Sequence, residues 1–181
     1  MKQLAEEKTH DRDYIRVRGM AFIAMLVCLA TALSWFERFI PLSFTVPGIK
    51  LGLANLVVLA GIYLLPFRQA LTLVMLKCVM TAWIFGSFVV FLYSLAGSLL
   101  SFAVMYLPAR FFARMPVVAV SIAGGVSHNL GQLAVAAIIL RNPVVFYYLP
   151  VLTVAGVVTG ALIGVCVRAV LPELRRQGGF R

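Results

Sequence analysis

Six apolar stretches, separated by short breaks that carry proline, glycine or basic residues, run from residue 19 to about residue 170. A membrane-crossing helix needs about 20 mostly apolar residues. The stretches at 19–39, 49–65, 69–86, 88–108, 117–140 and from Tyr147 to about Val170 come close to that length. Pro66, Gly86-Ser87, Pro108 and Arg141-Asn142-Pro143 mark where helices should stop, and Pro116 suits the first turn of the fifth. One break differs from the rest. Pro41, Pro47 and Gly48 forbid regular helix over 41–50, yet the segment is apolar enough to enter a bilayer, where non-helical backbone must line a cavity or lie against protein. The pattern therefore predicts a re-entrant loop between helices 1 and 2, placed over an outward-facing site.

Composition agrees with the pattern. Of 181 residues, 62% are hydrophobic and 12% charged, and the mean hydropathy is +1.01, outside the range of a water-soluble domain. The fold class expected is an all-α integral membrane protein, a six-transmembrane-helix bundle over 19–170. A cytoplasmic amino-terminal tail (1–18) and a basic tail (171–181) flank it. Apolar character continues through Trp35 and Phe36, which argues against signal cleavage after Ala30-Thr31-Ala32.

A formal charge of +10 is read as membrane orientation and not as nucleic-acid binding, because the basic residues do not form a groove-tracking patch. With both termini inside the cell, twelve Lys and Arg fall on the inner side. Only Arg38, Lys50 and Arg141 fall outside, and Lys77 lies within a span. This asymmetry is the positive-inside signature of a multi-pass protein of the cytoplasmic membrane.

Small residues form stripes that allow close helix approach. Gly156, Gly160 and Gly164 lie on helix 6, and Ser94, Gly97, Ser98 and Ser101 on helix 4. Packing accounts for both. A third stripe, Ala21, Ala24, Cys28 and Ala32 on helix 1, serves packing within the bundle or docking of another membrane protein. Cys28, Cys78 and Cys166 show no ligand spacing and read as small apolar residues.

Polar side chains at membrane depth carry the functional reading, since hydrocarbon offers them no partner. Lys77 sits mid-span with Thr81 on its face. Ser121, Gly125, His128 and Gln132 share one face of helix 5, bordered by Asn129. Glu37, Lys50 and Asn55 fall near the outer ends of helices 1 and 2. These residues either form a hydrogen-bond network that fixes packing or converge on a pocket for an anionic or polar solute. Catalytic readings fail on supply. Five of six acids lie in the polar ends, no P-loop is present, and His10 is the only histidine besides His128. Magnesium-diphosphate, ATP and bis-histidine haem chemistry therefore lack their residues here, and no metal, cofactor or catalytic residue is assigned.

The blocks Pro47-Gly-Ile-Lys-Leu-Gly-Leu-Ala-Asn55 and Ser121-Ile-Ala-Gly-Gly-Val-Ser-His-Asn-Leu-Gly-Gln132, with Glu37, Pro41, Lys77, Gly86-Ser87, Leu149-Pro150 and Gly156-Val-Val-Thr-Gly160, resemble the Gx transporter family. That family is also filed as heptaprenyl diphosphate synthase component I. It is similar to the S components of energy-coupling-factor transporters, six-helix proteins that bind a vitamin-like solute and join a transmembrane coupling subunit with two ATPases. The resemblance implies capture of an anionic or flavin-like solute from the outer side, with release driven by partners. It gives the helix 1 stripe a partner, the coupling subunit. The other family name implies a non-catalytic membrane component of a polyprenyl diphosphate synthase, and a structural subunit of a membrane redox complex is a third reading.

Overall fold

The computed structural model describes residues 2–39, 52–85, 88–112 and 114–178. The expected re-entrant loop, Lys50 included, lies outside them. Every regular element among the described residues is helical: α1 (Lys2–Phe36), α2 (Leu53–Leu64), α3 (Phe67–Phe85), α4 (Phe88–Phe111), α5 (Val117–Leu140) and α6 (Leu149–Gly178). Short 3-10 segments cover Glu37–Phe39 and Pro143–Tyr148. Five helices are long and apolar enough to cross a membrane, whereas α2 has 12 residues. Large apolar side chains such as Met25, Leu29, Trp83, Leu107, Val154 and Leu162 face outward. Such a surface is a liability in water and suits hydrocarbon. The chain is a multi-pass helical membrane protein.

Local chemistry sets the helix ends. Gly52 takes up left-handed backbone (φ 73°) just before α2, a conformation that costs glycine nothing. Leu65 is extended, as the residue before Pro66 must be, and ends α2 there. α5 runs over the span expected from sequence, from Pro116 to a left-handed Arg141.

α1, α4 and α6 overrun their expected ends. Pro108 and Pro172 lie inside α4 and α6, where each removes one backbone donor from its helix. α1 has 35 residues, about 50 Å at 1.5 Å per residue. Its membrane-competent stretch is Val17–Phe36, so the polar residues before it continue the same helix.

Consecutive helices are antiparallel neighbours. Along α5 and α6 the approach is backbone to backbone. A Cβ added at Gly156 would lie 3.0 Å from Gly125, one at Gly160 2.7 Å from the Ile122 Cα, and one at Gly164 2.7 Å from the Val118 Cα. As α6 descends one turn, its partner on α5 rises one. α4 meets the other side of α5, with Gly131 against Ala96 and Gly97, and Gly124 against Met105. The apolar core lies between α1, α2 and α3 and continues into α4 and α6, centred on Leu59, Leu73, Val74, Met105 and Val167.

Gly160→Ala should lower the thermal midpoint of the detergent-purified protein, at a cost of about 1–3 kcal/mol for forcing a methyl into packed backbone. Gly19→Ala, whose methyl would meet only Gln69 at 3.7 Å, should leave the midpoint unchanged or raise it. Equal losses in the two variants would contradict the seam.

Candidate functional site

Lys77 is 3% exposed, and its ammonium is held by neutral oxygens from two other helices. Nζ donates to Ser98 Oγ on α4 at 3.0 Å and to Asn55 Oδ1 on α2 at 3.4 Å. A lysine at mid-membrane costs about 2.5–3.5 kcal/mol without such partners. Beside it, Ser94 and Cys78 bond to each other across the α3–α4 contact. Thr81, one turn along from Lys77, is buried, and its hydroxyl has no hydrogen-bond partner among the described residues.

Glu37 links two helices through the backbone. Its carboxylate accepts from the Gly52 backbone N–H at 2.5 Å, which ties the end of α1 to the start of α2. An anion beside the first N–H groups of a helix is favoured by the helix dipole.

The polar stripe of α5 divides between two spaces. Ser121, His128 and Asn129 are buried. With Asn55, Thr159 and Gly125 they line a hollow of about 10 Å³ between α2, α5 and α6, room for one water molecule. Farther along α5, Gln132 and Asn129 face a cavity of about 360 Å³. Val90 and Tyr93 of α4, Leu133 and Ala136 of α5, and Tyr148 of the 3-10 helix contribute to its walls. Asn129 belongs to both spaces, and its Nδ2 donates to the Leu152 carbonyl at 2.8 Å. That bond fixes α6 against α5 at the cavity floor. Gly97 gives the space for this arrangement, since a Cβ there would come within 3.0 Å of both Gln132 and His128.

The cavity lies at the end of the bundle that carries the 3-10 helix Pro143–Tyr148 and the start of α4. Arg68, Arg110 and Arg175 lie at the opposite end, by their places in the antiparallel helices.

Of the residues proposed from sequence, Asn55 and Lys77 are in contact, and Asn55, Ser121, His128 and Asn129 share the small hollow. Gln132 joins Asn129 at the larger cavity. Lys50 is not described. Ala21, Ala24, Cys28 and Ala32 are all exposed on α1. Sequence reasoning missed Ser98, which it assigned to packing, and Tyr93, Tyr148 and Thr159. Ser98 carried a usable signal, because a serine on a stripe facing a buried lysine is a ready acceptor.

A family model described as heptaprenyl diphosphate synthase component I matches residues 26–170. The chain belongs to that family. Its matched region runs from the second half of α1 to near the end of the membrane-spanning part of α6, so both spaces and the Lys77 cluster lie within family sequence. No curated protein and no solved structure matches the chain.

Replacing Lys77 by methionine should destabilise the protein by about 1–3 kcal/mol, because two buried acceptors lose their donor. Ser98→Ala, which takes the closer acceptor from a buried cation, should cost about 1.5–3 kcal/mol. If the bonds act together, the double variant will fall short of the summed losses in thermal unfolding.

Proposed function

We propose that this protein captures a small solute from the outer side of the cytoplasmic membrane and hands it to partner subunits that supply the energy. The single observation that carries this reading is the cavity of about 360 Å³, because small-molecule sites typically measure about 300–1,000 Å³ and combine apolar walls with a few placed polar groups. Gln132 and Asn129 supply those groups from a rigid helix. The positive-inside distribution of charge supports an orientation in which this end faces outward and both termini lie in the cytoplasm. Lys77 and its oxygens then stand behind the site as the brace that holds α2, α3 and α4 around it.

Coupling falls to α1 in this reading. The exposed Ala21, Ala24, Cys28 and Ala32 offer a surface on which another membrane helix can pack closely. On this reading the chain acts as an energy-coupling-factor S component does, with a transmembrane coupling subunit and its ATPases as partners.

The family match favours a second reading. Heptaprenyl diphosphate synthase component I names a member of a multi-subunit enzyme, and on that view the chain is a non-catalytic membrane component that associates with a prenyl diphosphate synthase.

Native mass spectrometry of the full chain, gently extracted from its own membrane, separates the two. Capture predicts a retained small molecule that disappears in Ala136→Trp, which fills the cavity, while the variant keeps its helical circular dichroism. A retained synthase subunit with no small molecule would replace capture by the second reading.

A further inference from the structure

The larger cavity and the Lys77 cluster differ in chemistry. Among the described residues lining the cavity none carries a charge, and its polar atoms belong to two amides and two phenols. Lys77 is not among them, and its ammonium is directed to Asn55 and Ser98. Apolar walls of this kind penalise a charge far more than a neutral dipole. The amides narrow the choice further. Asn129 gives one of its two N–H donors to Leu152, which fixes the amide with its carbonyl oxygen and second N–H left to meet a ligand, and Gln132 likewise offers both donor and acceptor. Tyr93 and Tyr148 bring aromatic rings from α4 and the 3-10 helix, and aromatic faces favour flat partners.

We propose that this cavity binds an uncharged, planar ring system bearing an amide- or imide-like edge, and that it discriminates against the same body carrying a negative charge. The edge pairs with Gln132 and Asn129, and the ring body occupies the apolar space beside Leu133 and Ala136. This rests on the capture reading for the direction of access alone. It narrows the solute class from the anionic or polar solute expected from Lys50, Lys77 and His128 to its uncharged, polar-edged members.

Naphthalene-2-carboxamide and naphthalene-2-carboxylate differ in charge and hardly at all in shape. Equilibrium dialysis of both against the full chain in lipid nanodiscs at neutral pH should show saturable binding of the carboxamide, at least about tenfold tighter than the carboxylate. Gln132→Leu should weaken carboxamide binding about tenfold, Ala136→Trp should abolish it, and Lys77→Met should leave the preference between the two probes unchanged. Carboxylate binding as tight as carboxamide binding, carboxamide binding that does not saturate, or binding that survives Ala136→Trp would each overturn the assignment. The comparison of probes on the unaltered chain needs no variant to fold. Carboxamide binding without solute uptake would remove the capture reading and keep the ligand class. Uptake with no preference for the neutral probe would do the reverse.

Discussion

A single ammonium organises the first half of this bundle. Lys77 reaches from α3 to Asn55 on α2 and to Ser98 on α4, so three helices meet at one nitrogen in a medium that offers no water as a substitute. α2 depends on this most. With 12 residues it is short for a membrane helix, and its position follows from the Lys77 bond, the Glu37 contact at its start and the apolar core around Leu59. Moving Asn55 would cost the cation one acceptor, and moving Ser98 would remove its closer one. Polar satisfaction therefore enforces the geometry of α2, α3 and α4 more strictly than apolar packing alone could, since lipid is as apolar as the core.

The second half is held by different physics. α5 and α6 touch through glycines, where dispersion between backbones replaces side-chain interlocking. α5 stands between its two neighbours, with Gly125 against α6, Gly124 and Gly131 against α4, and the Asn129 amide bonded to Leu152 of α6. Such a helix is fixed from both sides, which holds the functional groups it displays in place. The two spaces along it show how far one face can be divided. Ser121 and Gln132 share nearly the same azimuth, but 11 residues separate them by about 16 Å along the axis. They therefore meet different neighbours: Ser121 faces Gly164 of α6, and Gln132 faces α4.

Much of this was legible in the chain. Hydropathy identified the membrane class, and prolines located the C-terminal end of α2 and the start of α5 because proline acts on its own backbone whatever surrounds it. The lengths of α1 and α6 were not legible, since hydropathy reports where lipid ends and not where a helix ends. Ser98 was missed as a partner of Lys77 for a related reason. A cation suggests a search for an anion, whereas the Ser98 hydroxyl that accepts from Lys77 lies 21 residues away in sequence. Tyr93 and Tyr148 carried no distinguishing signal, because aromatic residues near membrane boundaries have an ordinary anchoring role. His128 and Asn129 stood out because no such role covers them.

The glycine contact between α5 and α6 also limits how the molecule can move. Backbones already at closest approach have no rotamers to exchange and no slack to take up, so these two helices translate and tilt as one body. α4 joins the same unit at Gly131, where an added Cβ would lie 2.8 Å from the Ala96 carbonyl oxygen and 2.9 Å from the Gly97 Cα.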